Sequence, residues 1–247
     1  SEKIFTLEIN HSNISSISDI LRNFNALRTL KIRNTTLSHI EGIAHINLRK
    51  IEMQSNLISS IEPYAFHQCY NLNSLNLSHN NISKLTEPLF GNGFNLQELD
   101  FSFNLIKEIS KDFFYHVQIQ NLILRQNLLE SFILNNIYGT YLELLDLSYN
   151  KLVEFKSPNY YPLENFTLKL EFNKLTSLDI NTLNIKFLDV FNNNIKSFSL
   201  GYNCVNLNAQ NNEISIISLE ESISSLQIVN LNNNKLGNNL QDICKCT

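Results

Sequence analysis

The apolar residues of this chain recur in one fixed, short pattern. The segments NLNSLNLSHNNI (71–82), NLQELDFSFNLI (95–106) and YLELLDLSYNKL (141–152) share the template L-x-x-L-x-L-x-x-N-x-L. Eleven copies of the template follow one another at spacings of 19–24 residues over nearly the whole chain. We call the residue at the Asn position of each copy the ladder residue. The ladder residues are Ser12, Thr35, Asn56, Asn80, Asn104, Asn127, Asn150, Asn173, Asn193, Asn212 and Asn234.

The spacing of the apolar positions predicts a short β-strand in each copy. Leu75 and Leu77, at template positions four and six, lie two residues apart and therefore point to one face of a strand. The residues between them point to the other face. Successive strands then stack into one parallel sheet, and each repeat buries its apolar face against its neighbours, as in a solenoid.

The recurring Asn is interpreted as a structural residue and not as a binding residue. It sits where the chain turns out of the strand, so the backbone groups of that turn lose contact with water. An amide side chain both donates and accepts, and it can satisfy such buried backbone groups. Ser12 and Thr35 can do part of the same work in the first two copies.

The repeat resembles the leucine-rich repeat, whose period is usually about 20–29 residues. The resemblance implies an α/β solenoid, a leucine-rich-repeat horseshoe of about 11 repeats with one parallel β-sheet on its concave face. We expect a single domain over residues 1–247, in which residues 236–247 begin a C-terminal cap.

The return half of each repeat adds two expectations. In repeats three to five a Phe follows ten residues after the ladder Asn, at Phe66, Phe90 and Phe114. This arrangement resembles the typical-class repeat of extracellular animal proteins, which implies a stacked Phe spine inside the convex side. Repeats eight to ten are shorter and leave room for little more than an extended segment between strands.

Composition and charge exclude several classes of protein. The chain has 39 Asn and 39 Leu, 43% hydrophobic residues and a formal net charge of −4. That apolar fraction is normal for a folded protein, and the mild negative charge disfavours nucleic acid as the partner. No apolar run approaches the ~20 residues of a membrane helix. With six Gly, no phosphate-binding loop and no metal spacing among the six His, we expect neither an enzyme nor a cofactor or metal site.

The solvent face of the predicted sheet remains as the candidate binding surface. It runs from a basic N-terminal patch through an acidic centre and an aliphatic and aromatic band to an amide-rich end. Apolar residues at mid-strand positions should face water, so we interpret them as partner or self-association contacts. Phe103, Tyr149 and Phe172 precede ladder residues and are interpreted as turn packing. The candidate partner-binding residues are Lys31, Arg33, Glu98, Asp100, Ile123, Arg125, Leu144, Asp146, Phe187, Asp189 and Phe191.

The cysteines and the N-x-[ST] acceptors are weaker signals. Cys69 and Cys204 fall at apolar positions and are predicted to be small buried hydrophobes. They lie six strands apart, on the order of 30 Å at ~4.8 Å per strand, so they cannot form a disulfide. Six acceptors occur, but about five or six would arise from the Asn content alone. The candidate glycosylation sites are Asn13, Asn34, Asn76, Asn81 and Asn165.

Within the extracellular leucine-rich-repeat superfamily, the chain is most similar to secreted insect immune proteins. The resemblance rests on the short repeats SLDINTLNIKFLDVFNNNI and SFSLGYNCVNLNAQNNEI, the lack of an N-terminal cysteine cap, and the trailing Cys244-Lys-Cys246. It implies secretion, a protein partner such as a complement-like thioester protein or another leucine-rich-repeat chain, and a dimer. It also implies that Cys244 and Cys246 belong to a cap or an inter-chain disulfide.

Two other interpretations stay open. One is a cell-surface adhesion or receptor ectodomain, which the repeats alone do not distinguish from a secreted module. The other is an intracellular regulatory scaffold or a microbial effector from an AT-rich genome, which the Asn, Ile and Lys usage also fits.

Overall fold

A computed structural model describes residues 3–134, 137, 141–157, 161–180, 182–200, 203–219 and 225–237 of the chain. The chain forms two compact units. The N-terminal unit comprises Ser1–Leu128 and Asn136–Gly139, and the C-terminal unit comprises Leu129–Asn135 and Thr140–Thr247.

The N-terminal unit is a parallel β-solenoid. Six strands of its described residues pair in parallel in the order β1-β2-β4-β6-β8-β10, and the return segments contribute the two-stranded pairs β3-β5 and β7-β9. The elements are β1 (Thr6–Asn10), α1 (Ser18–Leu21), β2 (Thr29–Arg33), β3 (His39–Ile40), β4 (Lys50–Glu52), β5 (Ser60–Ile61), β6 (Ser74–Asn76), β7 (Lys84–Leu85), β8 (Phe94–Asp100), β9 (Glu108–Ile109) and β10 (Val117–Ile123).

The C-terminal unit repeats this architecture with shorter returns. Its sheet has the parallel order β12-β14-β16-β18-β20, and its return strands form the pair β11-β13 and the three-stranded β15-β17-β19. The strands are β11 (Ser131–Ile133), β12 (Leu144–Asp146), β13 (Glu154–Lys156), β14 (Tyr161–Lys169), β15 (Ser177–Asp179), β16 (Leu183–Asp189), β17 (Ser197–Leu200), β18 (Asn206–Asn208), β19 (Ile216–Leu219) and β20 (Ile228–Asn230).

The template leucines set the register within each sheet. Leu75 pairs with Ile51 on one side and with Leu99 on the other, so equivalent apolar positions lie side by side across the strands. Leu75, Leu77, Leu145 and Leu147 are fully buried, as the two-residue spacing predicts. The predicted leucine-rich-repeat solenoid with a parallel sheet is confirmed.

The return segments confirm the Phe spine and differ from an α/β pattern. Phe66, Phe90 and Phe114 are buried, and the rings of Phe66 and Phe90 stack with their centroids 5.7 Å apart. Among the described residues, α1 is the only α-helix and is four residues long. Turns and short strands form the other returns.

The ladder residues hold the turns together as predicted. The side-chain oxygen of Asn104 accepts a hydrogen bond from the Ile82 N–H of the preceding repeat, at 3.0 Å. Its amide nitrogen donates to the carbonyls of Leu77 and Phe101, each at 3.0 Å. Each ladder Asn therefore satisfies its own turn and ties that turn to the repeat before it. In the second copy, the backbone N–H and the hydroxyl of Thr35 instead donate to Asn56, at 2.9 and 2.7 Å.

The residue before each ladder residue has a left-handed backbone. Its φ lies between 50° and 58° in all eleven copies, a conformation that side chains other than Gly, Asn and Asp seldom adopt. Where the residue is aromatic, neighbouring rings stack: His79 on Phe103 at 4.1 Å and Tyr149 on Phe172 at 4.2 Å between centroids. The rings pack on one another, as the turn-packing interpretation of Phe103, Tyr149 and Phe172 predicts.

The single-domain assignment and the C-terminal cap stay predictions. Each unit has its own buried row of leucines. Residues 238–247, which contain most of the predicted cap, lie outside the described residues.

Replacing a ladder Asn should destabilise the fold strongly. Asn104→Ala leaves the Ile82 N–H buried without its acceptor and removes one of the hydrogen bonds to each of the Leu77 and Phe101 carbonyls. We therefore expect a loss of about 2–5 kcal/mol in the free energy of unfolding. Urea denaturation followed by circular dichroism measures this loss. Asn81→Ala, at an exposed position, is the control and should change stability little. Equal losses in the two variants would contradict a structural ladder.

Candidate functional site

The candidate site is the face of each sheet whose side chains alternate with the buried leucines. We call it the open face of that unit. The N-terminal open face comprises Thr29, Lys31, Arg33, Lys50, Glu52, Gln54, Ser74, Asn76, Glu98, Asp100, Asn121, Ile123 and Arg125. The C-terminal open face comprises Leu144, Asp146, Ser148, Thr167, Lys169, Glu171, Phe187, Asp189, Phe191, Asn206, Asn208, Gln210, Ile228, Asn230 and Asn232.

The cations of the basic patch on the N-terminal open face share one internal carboxylate. Buried Glu52 forms ion pairs with Lys50 at 2.6 Å, with Lys31 at 3.8 Å, and with Arg33. Burial on its own raises the pKa of Glu52, but the hydrogen bond from Lys50 and the charges of Lys50, Arg33 and Lys31 hold that pKa below its usual value. The predicted partner-binding cations Lys31 and Arg33 are thus held by an internal carboxylate.

The acidic centre also has a structural role that sequence reasoning missed. The carboxylate oxygens of Asp100, Asp146 and Asp189 each accept a hydrogen bond from the backbone N–H two residues further on, at 2.8, 3.0 and 2.9 Å. Asn76 accepts the equivalent bond from Ser78 at 2.9 Å. Such Asx turns close the strand end. The signal that could have revealed them is the recurrence of Asp or Asn at template position five.

The C-terminal open face brings apolar and polar residues together in two rows. Strand register aligns the first row as Leu144, Thr167, Phe187, Asn206 and Ile228. The second row is Asp146, Lys169, Asp189, Asn208 and Asn230.

A pocket of about 400 Å³ opens between these two rows. Phe187 and Ile228 line it and are 37% and 60% exposed, at positions where a water-facing strand normally carries polar side chains. Lys169, Asp189 and Asn208 line it from the second row. Ile228 was missed among the sequence candidates, although it shares template position three with Leu144 and Phe187.

The other predicted apolar contacts are distributed unevenly. Leu144 is half-buried on β12, and half-buried Phe191 packs edge-to-face on Phe172 with centroids 5.1 Å apart. Ile123, at the end of β10, and Arg125, just after it, belong to the N-terminal unit. Glu98, on β8, belongs to the same unit. The predicted band is therefore divided between the two units, and the pocket belongs to the C-terminal unit alone.

Carboxylates dominate the electrostatics beside the pocket. Lys169 lies 4.0 Å from a carboxylate oxygen of Asp146. Burial raises the pKa of Glu171, and the nearby charges of Asp189 and Asp146 raise it further against the opposing charge of Lys169. Burial is the largest cause of this rise, and the two neighbouring carboxylates add to it.

The candidate modification sites differ in their surroundings. Asn13, Asn34, Asn81 and Asn165 are exposed. Asn76 is half-buried, and its amide nitrogen, the atom to which a glycan attaches, donates to Asp100 at 3.1 Å. All five acceptors stay predictions.

The cysteines of the described residues behave as predicted. Cys69 and Cys204 are buried free thiols, and burial raises the pKa of each to about 11, so they serve as small apolar residues. Cys244 and Cys246 lie outside the described residues.

The described residues contain neither a metal-binding cluster nor a membrane-spanning helix. Among them, no three His, Cys, Asp or Glu side chains lie close enough together to hold a metal ion. Within the same part of the chain, no helix is both long enough and apolar enough to span a membrane.

The fold and the open faces define a leucine-rich-repeat solenoid, a scaffold typical of protein–protein recognition and generally non-enzymatic. Residues 21–139, just under half of the chain, match six copies of the family described as BspA type leucine rich repeat region. That match indicates no catalytic family. No curated protein matches the sequence.

Several solved structures share the fold. The leucine-rich repeat domain of APL1B has a TM-score of 0.76 at 21% identity, over 93% of this chain and 68% of that one. A leucine-rich-repeat protein of Leptospira interrogans has a TM-score of 0.64 at 20% identity, over 95% and 68%. A chain of the LRIM1/APL1C complex has a TM-score of 0.56 at 18% identity, over 93% and 43%. At these identities the similarity establishes the fold alone.

The contribution of the Asx turn at Asp146 to stability can be measured separately from that of its charge. Asp146→Ala removes the acceptor for the N–H and hydroxyl of Ser148, so we expect a loss of about 1–3 kcal/mol in the free energy of unfolding. Asp146→Asn should cost much less, because Asn76 accepts the same bond at the same template position. Urea denaturation of both variants measures the difference, and equal losses would contradict the turn.

The register of the apolar residues predicts unequal costs of truncation. Replacing Phe187 and Phe191 by Ser should lower stability by no more than about 1–2 kcal/mol, since neither ring is fully buried. Leu145→Ala should cost about 2–5 kcal/mol, because it leaves a cavity in the core. Thermal denaturation compares them, and a Phe pair as destabilising as the Leu would refute the strand register of β16.

Proposed function

We propose that the chain is an extracellular protein-recognition module that binds its partner through the C-terminal open face. The observation that carries the proposal is the pocket of about 400 Å³ lined by Phe187 and Ile228. Exposed apolar side chains gathered around a pocket, with polar groups at its edge, are typical of the centre of a protein interface.

The N-terminal open face supports recognition less well. Its cations Lys31, Arg33 and Lys50 surround Glu52, and Asn76 is bonded to Asp100. A partner there would have to compete with these internal contacts, which weakens the net gain from any new ion pair. The C-terminal open face combines apolar area with carboxylates and amides, so it favours binding more.

Secretion and an immune role form the finer part of the proposal. The similarity in fold to APL1B and to the LRIM1/APL1C complex supports it, since that complex pairs two proteins. The proposed partner is a protein, either a complement-like thioester protein or another leucine-rich-repeat chain, and the second choice makes the assembly a dimer. Cys244 and Cys246 would then form the inter-chain or cap disulfide.

A microbial surface protein or effector is the second candidate. The match of residues 21–139 to the BspA type repeat favours it, together with the similarity to a Leptospira interrogans protein. Both candidates assign recognition to the open face, so they share the same experiment.

Affinity capture with matched variants tests the proposed function. The purified chain, Ile228→Ser, Phe187→Ser and Ile216→Ser are each immobilised and exposed to the extracellular fluid of the source organism. Ile216 is 62% exposed on return strand β19, so it matches Ile228 in size and exposure but lies away from the pocket. Quantitative mass spectrometry compares the retained proteins.

We expect the chain and Ile216→Ser to retain the same protein, and the two pocket variants to lose it. Retention by all four proteins would place the binding surface elsewhere and contradict the proposal. If the only retained protein is the chain itself, sedimentation of the purified chain should show a dimer that the pocket variants abolish.

A further inference from the structure

The pocket of the C-terminal open face is asymmetric in charge. Its apolar wall is formed by Phe187 and Ile228 in the first row. Asp189 lies two residues beyond Phe187 on the same strand, about 7 Å away at the rise of a β-strand and on the same face. Glu171 follows the adjacent strand β14, and Asp146 lies on β12, one strand further away. Burial raises the pKa of Glu171, and the charges of Asp189 and Asp146 add to that rise. The apolar wall of the pocket and an edge of carboxylates thus lie side by side.

Asp189 is held in a fixed orientation at this edge. One carboxylate oxygen accepts from the Phe191 N–H at 2.9 Å, and the Asn208 amide nitrogen donates to both oxygens at 3.1 Å. A carboxylate fixed in this way costs little further ordering when a partner's cation binds it. Neither of these donors carries a charge, so the negative charge of Asp189 is not cancelled by them.

Two buried side-chain acceptors beside the pocket lack donors. The side-chain oxygens of Asn206 and Asn208 are buried, and among the described residues neither receives a hydrogen bond. Both residues are half-exposed as a whole, and a rotation of the Asn206 side chain would bring its oxygen to the surface without breaking the bonds from Asn208 to Asp189. Buried acceptors without donors favour a partner that supplies N–H groups.

Two lysines lie near the pocket, and each contacts another side chain of the chain. Lys169 faces Asp146 at 4.0 Å, which leaves its charge shared with that carboxylate. Lys186 lies over the ring of Phe187, with its nitrogen 5.6 Å from the centroid. An anionic segment would therefore meet these two lysines but also the three carboxylates Asp146, Glu171 and Asp189.

We propose that the C-terminal open face binds a protein segment in which a large apolar side chain is accompanied by Lys or Arg. The apolar side chain occupies the pocket between Phe187 and Ile228. The cation pairs with Asp189, with Asp146 and Glu171 adding to the negative charge nearby, and N–H groups of the segment reach Asn206. This inference rests on the proposed function and specifies the chemistry of the partner.

Selection of displayed random peptides provides a test that needs no known partner. A phage library of random linear peptides is selected on the purified full chain, and enriched peptides are synthesised with a fluorescent label. Fluorescence anisotropy then measures their affinity at about 0.05 M and about 0.5 M salt, which spans weak to strong screening of exposed charges.

Two pairs of variants separate the contribution of the apolar wall to binding from that of the charge. Ile228→Ser removes one of the two side chains of the apolar wall, and Ile216→Ser is its control on β19. The double variant Asp146→Asn, Asp189→Asn removes two charges but keeps an acceptor for each Asx turn, as Asn76 does. Asp179→Asn, exposed on β15 of the return sheet, is the charge control.

We expect peptides enriched in Lys or Arg within a few positions of a large apolar residue. Their affinity should fall about tenfold or more in Ile228→Ser and in the double Asn variant, and the controls should match the unmodified chain. The salt dependence should also flatten in the double variant. Acidic or uncharged peptides, unchanged affinity in the double variant, or no enrichment over Ile228→Ser would each overturn the inference.

The two experiments distinguish an error in the inferred chemistry of the partner from an error in the proposed function. If partner capture depends on Phe187 and Ile228 while the selected peptides carry no cations, only the inferred chemistry is wrong. If capture is insensitive to both residues, the proposed function is wrong, whatever the peptides show.

Discussion

The hydrogen bonding of the ladder Asn is the interaction on which both solenoid units depend. Each repeat turns inward after its strand, and that turn buries backbone groups that neither the strand nor water can satisfy. The ladder amide accepts from the preceding repeat and donates to carbonyls of both repeats, as Asn173 does toward Leu152, Leu147 and Leu170. One side chain thereby satisfies several buried groups and sets the register of adjacent repeats at the same time. The stacked leucines then add burial to a geometry that the ladder has defined.

The ladder and the leucines leave the open face available for contacts with other molecules. Some residues of that face nevertheless have structural roles as well. Position five supplies the Asx turns of Asp100, Asp146 and Asp189, so those carboxylates close strand ends as well as facing solvent. On the N-terminal open face, Glu52 also holds the nearby cations. The C-terminal open face keeps its apolar pocket and its carboxylate edge together. We therefore expect recognition to involve the open-face groups that make no contact needed for the fold.

The sequence predicts the repeating parts of the structure better than the site. The ladder Asn, the buried leucines and the spine of Phe66, Phe90 and Phe114 were predictable, because their roles follow from position within one repeat. The lack of helix in the longer returns, the grouping of three cations around Glu52, and the pocket at Ile228 were not. The last two depend on side chains from different strands meeting across the sheet, and the template does not encode which cross-strand neighbours make contact. The division into two compact units likewise has no marker in the repeat spacing.

Covalent carbene labelling of side chains, with and without the captured partner, tests most directly whether recognition occurs on the C-terminal open face. Phe187 and Ile228 lie in the pocket, and Ile216 is equally exposed on the return sheet. If the partner occupies the pocket, its presence should strongly reduce labelling at Phe187 and Ile228 and leave Ile216 unchanged. Protection of Ile216 together with full labelling of Phe187 and Ile228 would contradict recognition through the open face.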